Sequence, residues 1–247
     1  MQRIGHLLPA TSLGADRWVA QICAPVQVEI AHPTARATLP EIQYGPGLAP
    51  SHSVELERAA DQLAQAGADA IVWHGTSAGL DGAAHARAVS RVIERTAGVR
   101  ASTVTLGQLD LLARSGTHSV ALVTAGTERS AGRLADTFLA AGLRLASVTA
   151  LGLGTPREAA ELPVARVRRI LLDADSADAQ CLVVAGTELP VAPVAAMVER
   201  ELGKPVHDGA RVAVRTGLDL LGTAVESPSW GGLFTGGVHA GVCCDSH

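Results

Sequence analysis

The sequence predicts an α/β fold of two similar Rossmann-like halves, each a mainly parallel sheet flanked by helices, the two related by a pseudo-two-fold axis. Three observations carry that expectation. Short apolar, β-prone runs alternate with Ala-, Leu- and Arg-rich stretches of helical period, the pattern of strands joined by helical crossovers. The helical stretches repeatedly stop at a glycine, the residue that best accepts the left-handed conformation closing a helix. Three apolar runs end in the same dipeptide, Gly75-Thr76, Gly126-Thr127 and Gly186-Thr187.

Local signals set each element. Ile4–Leu8 is an apolar run closed by Pro9, which cannot donate to a strand ladder. After a polar, Pro-rich excursion over His32–Pro50, Val54–Ala66 places apolar residues at helical spacing and ends at Gly67. Ala70–Trp73 is a strand, Ala83–Ala97 a helix stopped by Gly98, and Gln108–Ser115 a short helix stopped by Gly116. Val120–Thr124 is a strand, Ser130–Ala141 a helix ending at Gly142, and Leu145–Thr149 a strand. Pro163–Ala174 is helical, Cys181–Ala185 a strand, Pro193–Leu202 a helix, Pro205–His207 a short strand and Ala210–Leu221 the last helix. From Ser227 the glycine-rich tail has no periodicity and is expected to wrap the surface or fray.

Ile4 leads to Gly75 much as Val120 leads to Gly186, which marks two comparable blocks. The expected division is an N-terminal half over residues 1–115, with 210–247 packing back on it, and a C-terminal half over 116–209. In open parallel sheets the strand C-termini face the ligand crevice, so the three Gly-Thr loops should line a site between the halves. Glycine there lets backbone approach a ligand, and the amides opening the next helix attract an anion. The plain alternative for any one copy is a turn followed by an N-cap threonine.

Composition removes several function classes. The chain has 247 residues, 47% hydrophobic, which suits a folded core and excludes disorder. A net charge of −4 with scattered arginines, together with only three Trp, one Tyr and two Phe, speaks against a nucleic-acid partner. No apolar run is long enough to span a membrane, and no secretory signal follows Met1, so the expectation is a soluble, cytoplasmic protein without a membrane partner. Of the twenty basic residues only Lys204 is lysine, and its Gly-Lys continues into Pro205, against both Schiff-base and P-loop chemistry. Cys23, Cys181, Cys243 and Cys244 form no metal-like spacing, so no structural zinc and no cofactor is expected.

At the Gly-Thr loops the sequence resembles the aspartate/glutamate racemase superfamily, within it the branch of maleate cis-trans isomerases and arylmalonate decarboxylases. Gly186-Thr187-Glu188-Leu189-Pro190 resembles that family's Gly-Cys-Thr-Glu-Leu-Pro run, with Ala185 at the glycine and Gly186 at the cysteine. His74-Gly75-Thr76-Ser77 resembles the Cys-Thr-Ser of the isomerases and the Gly-Thr-Ser of the decarboxylases. Leu122–Thr127 with Ser130 is similar to the strand and loop by which racemases hold a substrate carboxylate. Ile4–Pro9 is similar to the branch's opening strand and Lys204-Pro205-Val206 to its closing segment, so the likeness spans about Arg3 to Gly222. It implies cofactor-independent chemistry beside a carboxylate, with amides and hydroxyls stabilising an enediolate and cysteine thiolates moving protons or attacking carbon.

The sequence departs from that family at the sulfur positions. Gly75 stands at the first cysteine and Gly186 at the second, and the decarboxylases' loop tyrosine appears as Gly126. Cys181 lies five residues before Gly186, at the far end of a strand. Each glycine is expected to leave a space of about one water molecule beside a polar wall. The acid/base candidates are Glu188, His74, Glu128, Asp208 and His207, with Glu188 and His74 first. Glu188 also has a bland reading as a first-turn glutamate favoured by the helix dipole, and His74 as a core histidine, because alternation sets it opposite Trp73. Asp16 and Arg17 are placed near the mouth, and Arg129 is a possible carboxylate clamp or a solvated arginine. Gly75, Thr76, Ser77, Gly126, Thr127, Ser130, Gly186 and Thr187 are the expected binders of a small carboxylate-bearing molecule.

Three functions remain open on sequence. The first is a lyase or isomerase acting beside a carboxylate or carbonyl, with oxyanion stabilisation by the Gly-Thr loops and proton transfer by a residue other than cysteine. The second is a hydratase or hydrolase in which Glu188 or His74 activates a water near Gly75 or Gly186. The third is a catalytically silent ligand-binding protein, favoured if an apolar side chain fills the space at the glycines. A homo-oligomer is compatible with each.

Overall fold

A computed structural model describes residues 2–23, 30–37 and 50–234. Most of the Pro-rich excursion and the tail with Cys243 and Cys244 lie outside the described residues.

Two parallel sheets carry the fold. The first holds β1 (Gln2–Pro9), β2 (Ile30–Ala31), β3 (Thr34–Ala37), β4 (Ala70–Trp73) and β5 (Arg100–Thr103), in the order β3-β1-β4-β5 with β2 beside the start of β1. The second holds β6 (Ser119–Thr124), β7 (Arg144–Ala150), β8 (Cys181–Ala185) and β9 (Val206–Asp208), in the order β7-β6-β8-β9. In both sheets the first long strand of the half sits second, and every pairing is parallel. The Ile4–Gly75 and Val120–Gly186 blocks thus run through corresponding places of the two sheets.

Helices cover both faces of each sheet, which is why the strands read as continuous apolar runs. Period-2 alternation sorts their side chains. Leu7, Ile71 and Trp73 pack with α2 (Pro50–Gln65) and, beyond α3 (Ser77–Leu80), with α4 (Gly82–Ala97). Ile4 and Val72 face α1 (Ala15–Cys23) and, in the same apolar cluster, Val212 and Val214 of the last helix. In the second sheet Val120, Leu122 and Val183 meet Leu112 of α5 (Val104–Arg114) and Phe138 of α6 (Glu128–Ala140). Past α7 (Pro156–Ala160), α8 (Val164–Ala174) and α9 (Ala192–Leu202) close the other face over Val123 and Val184.

The predicted strands and long helices all form, within a few residues of the expected ends. Several short elements carry no sequence signal: α1, β2, β3, α3, β5 and α7 are too short or too polar for periodicity to mark them. The helix expected from Gln108 begins at Val104, because Thr103 Oγ1 caps it by accepting from Leu106 N–H at 3.1 Å.

The last helix, α10 (Gly209–Leu221), packs on α1, β1, β4 and α5 of the first sheet. Its buried Arg211 pairs with Asp208 and with Glu199 of α9, and donates to the carbonyls of Val206 and Trp230. Gly232 N–H donates to Glu199 at 2.7 Å, and Leu233 and Phe234 are buried. The tail therefore does not fray at Ser227: two 3-10 turns, Pro228–Trp230 and Gly232–Phe234, dock it into the core as far as residue 234.

Candidate functional site

The C-terminal ends of β4, β6 and β8 open on one cavity of about 270 Å³, at the small end of the range for small-molecule sites. Gly75, Thr76 and Ser77 form one wall, Thr124, Ala125, Gly126 and Ser130 another, and Glu188 a third. Trp73, Leu80, Leu134 and Leu153 give it an apolar lining, and Thr155 and Pro156 reach it from the loop into α7. A wider, open hollow of about 590 Å³ lies around the starts of β6 and β7, between His118, Ser119, Arg144 and Asp178. It touches none of the strand C-termini and is bordered by an exposed ion pair, so the smaller cavity is the candidate site.

Each wall is held by contacts between the halves. Gln108 of α5 is buried and donates from Nε2 to the carbonyls of Val184 at 2.8 Å and His207 at 3.2 Å, fixing the ends of β8 and β9. Thr137 of α6 donates to the Gly79 carbonyl at 2.7 Å, and Arg133 of α6 pairs with Asp81. Thr76 donates from Oγ1 to Glu188 Oε1 at 2.9 Å, joining the first and third Gly-Thr loops across the crevice.

The spaces above the two glycines are filled. A Cβ on Gly75 would overlap the indole of Trp73, which turns over the loop from two residues earlier. Gly186 has φ +90°, a conformation that side chains rarely adopt, and a Cβ there would overlap Glu188 Oε2 and Thr76 Oγ1. The expected water-sized gaps are therefore absent: an aromatic ring stands beside one glycine and a carboxyl group beside the other.

Glu188 sits at the cavity wall, half-buried, with its carboxyl folded back over the loop. Burial pushes its pKa above the ordinary glutamate range, and its own amide, the Thr76 hydroxyl and the Thr187 amide pull partly the other way. The outcome is a carboxyl that holds its proton more readily than a surface glutamate.

His74 is not brought to the cavity. Alternation turns Trp73 toward the site and His74 to the other face, where its Nε2 lies 2.9 Å from His6 Nδ1. His6 Nε2 in turn meets His32 Nδ1 at 3.0 Å, and Cys23 Sγ lies 3.6 Å from the same nitrogen. Burial lowers the pKa of His74 to about 3 and of His32 to about 4, and that of His6 well below the usual value, so the three are neutral imidazoles in a buried chain. Running from His74 to His32, the donors leave an unused lone pair on His74 Nδ1, which is less costly than an orphaned N–H.

Other sequence candidates also point elsewhere. Thr127 caps α6, accepting from Ser130 N–H at 3.4 Å, and Thr187 is buried outside the cavity lining. Ser130 lines the cavity while its hydroxyl donates to the Thr127 carbonyl at 2.8 Å. Asp208 caps α10 and pairs with Arg211; His207 is buried, and desolvation, followed by the Arg211 charge, lowers its pKa to about 4. Glu128 and Arg129 are exposed. Asp16 pairs with Arg36, and Arg17 stacks over Trp18. Burial raises Cys23 and Cys181 to about 12, so neither is a thiolate near neutral pH. Among the described residues no His, Cys, Asp and Glu group is arranged to hold a metal, and no helix is long and apolar enough to cross a membrane.

Sequence reasoning missed Trp73, Thr11, Leu80, Leu134 and Leu153 as cavity residues. Trp73 was legible in part, since alternation sets it against His74; the leucines read as ordinary core positions.

The same architecture recurs in solved structures. A liganded double mutant of arylmalonate decarboxylase has a TM-score of 0.81 and 21% identity, covering 95% of this chain and 99% of the other. The maleate isomerase Iso from Pseudomonas putida S16 has a TM-score of 0.80 and 18% identity over 95% and 98% of the two chains. A Nocardia farcinica maleate cis-trans isomerase mutant with a covalently bound succinylcysteine intermediate has a TM-score of 0.83 and 19% identity over 94% and 98%. No curated protein matches the sequence. The family model of arylmalonate decarboxylase matches residues 52–234, three-quarters of the length and all three Gly-Thr loops, and the chain belongs to that family.

Proposed function

We propose that the protein is a cofactor-independent lyase or isomerase for a small carboxylate- or carbonyl-bearing molecule, with Glu188 as its proton-transfer group. The observation that carries this is the Glu188 carboxyl, which fills the side-chain space of Gly186, where the family resemblance sets a cysteine. As the bond from carbon to one carboxylate breaks and carbon dioxide leaves, the electron pair left on carbon spreads onto the oxygen of the neighbouring carboxylate or carbonyl, where negative charge grows. The Gly75–Ser77 and Gly126 loops offer the dipoles to stabilise it. The Glu188 O–H then delivers its proton to the carbanionic carbon, and the carboxylate is reprotonated from solvent. A raised pKa suits that role, because the acid form must be populated near working pH. The units 1–115 and 116–209 close on the substrate from either side.

NMR in deuterated solvent with a panel of aryl- and alkylmalonates tests this. Decarboxylation with solvent deuterium at the reacting carbon is expected, surviving alkylation of the cysteines and lost in Glu188→Gln. Turnover abolished by alkylation, or retained in Glu188→Gln, overturns it.

A second reading is favoured by one observation. The Trp73 indole over Gly75 is the apolar filling expected of a protein that binds a metabolite without transforming it. Any Glu188-dependent turnover excludes that alternative.

A further inference from the structure

We propose that the indole N–H of Trp73 is a substrate-binding donor, which holds an oxygen of the carboxylate that stays on carbon and tightens as charge grows there. The inference rests on the carboxylate chemistry proposed above and adds the side chain that meets the charge.

The lining of the cavity sets the need for such a donor. Neither Arg, Lys nor His lines it, so a bound carboxylate is met by neutral dipoles. Two hydroxyls on the walls are already committed: Thr76 donates to Glu188 Oε1 at 2.9 Å and Ser130 to the Thr127 carbonyl at 2.8 Å. Among the lining side chains Trp73 alone carries an N–H, and an indole nitrogen donates without accepting.

That N–H is unspent. Trp73 is 1% exposed and packs among Leu7, Ile71 and Ala78. A tryptophan buried so deeply ordinarily finds an acceptor for its N–H, yet no described residue accepts from Trp73 Nε1. The unpartnered side-chain atoms sealed inside the protein, among the described residues, are His74 Nδ1, His207 Nδ1 and Thr216 Oγ1, and the Trp73 nitrogen is not one of them. It therefore keeps an open face, and the open space that the ring borders is the cavity.

Its position agrees with that role. A Cβ on Gly75 would meet Trp73 Cζ2 and Cε2 and would lie 2.7 Å from Nε1, so the nitrogen-bearing side of the indole rests against the Gly75-Thr76 turn. The glycine makes the room, and packing of the ring fixes the donor beside the first Gly-Thr loop. No proton is transferred: the indole keeps its hydrogen, and Glu188 remains the proton-transfer group. A hydrogen bond to the departing carboxylate would hold back the charge that has to leave it. The retained carboxylate gains charge instead, so a donor there binds the transition state more tightly than the ground state.

NMR of the intact protein labelled with 15N at its indoles tests the proposal. Three Nε1–H signals are expected, from Trp18, Trp73 and Trp230, and the Trp73 signal is the one lost in Trp73→Phe. Phenylacetate, the product expected from phenylmalonate, keeps the retained carboxylate. It should move the Trp73 signal downfield to saturation while the other two stay in place, and toluene, which has no acceptor, should not. Trp73→Phe keeps an aromatic ring without the N–H, and should lower kcat for phenylmalonate about 10–100-fold with little change in KM. The factor should be the same at pH 6, 7 and 8, because the indole does not titrate there. A Trp73 signal unmoved by phenylacetate or moved alike by toluene overturns the inference, as does a loss in Trp73→Phe confined to KM. If Trp73→Phe does not fold, the titration of the native chain decides. A moved signal with turnover retained in Glu188→Gln leaves the indole donor standing and removes the Glu188 reading; an unmoved signal with Glu188-dependent turnover does the reverse.

Discussion

Gly75 and Gly186 follow β4 and β8, which occupy corresponding places in the two sheets, yet their surroundings differ in kind. Gly75 is overhung by the Trp73 indole, an apolar surface with no proton to give in this chemistry. Gly186 is overhung by the Glu188 carboxyl, tied across the crevice by Thr76. Backbone conformation differs as well: Gly186 lies at φ +90°, whereas Gly75 does not need a positive φ. One glycine is covered by an aromatic ring and the other by an acid, so two similar sheets present dissimilar loops.

The largest expected effect breaks the acidic side of that contrast. Glu188→Gln keeps the shape and the Thr76 contact but removes the proton, and kcat/KM for any turned-over substrate should drop by about 10²–10⁴-fold. Steady-state kinetics beside an unchanged melting temperature checks it; a loss below tenfold would make Glu188 structural.

Next come the buried histidines away from the cavity lining: His6, His32 and His74 beside β1 and β4, and His207 on β9, all held neutral. Their folded pKa values lie below the unfolded value near 6.5, so the unfolded chain binds more protons and stability falls as pH drops from 6.5 toward 4. Each contributes up to about 1.4 kcal/mol per pH unit, so the slope should reach about 4–5 kcal/mol per pH unit between pH 6 and 5, with Glu188, shifted the opposite way, offsetting a little of it. Denaturant melts at pH 7, 6 and 5 measure the slope, and His74→Gln should reduce it while sparing activity.

Gly186→Ala should cost about 1–3 kcal/mol from its backbone conformation and also displace the Glu188 carboxyl, so stability and turnover fall together. Gly75→Ala should cost about 1–3 kcal/mol by overpacking against Trp73. Pairing it with Trp73→Leu should recover most of that loss, and a double-mutant cycle reads the coupling. If the Gly75 loss stays uncoupled from Trp73, the indole is not what excludes a side chain there.

Much of the fold was legible because its signals are local. The apolar runs at Ala70–Trp73, Val120–Thr124 and Cys181–Ala185 are strands in the structure with the ends expected or one residue longer. Helix stops at Gly98, Gly203 and Gly222 are left-handed caps. The short β2, β3 and β5 were not legible, since two to four residues carry too little periodicity. Of the site candidates, Gly75, Thr76, Ser77, Gly126, Ser130 and Glu188 meet around the cavity, while His74, Thr127, Gly186 and Thr187 do not line it. Gly186 bears on it through Glu188, and Thr127 through capping the helix that carries Ser130.

The sequence by itself determined the α/β class and the three Gly-Thr loops, because composition, period and motif spacing are properties of neighbouring residues. Only the tertiary structure decided what stands over the glycines of the first and third loops. Trp73 covers Gly75 through a turn of the chain, and Glu188 covers Gly186 through a hydrogen bond from Thr76, 112 residues away. Side-chain direction at the end of a strand depends on which neighbours already fill the space, and that competition is settled by packing between the halves.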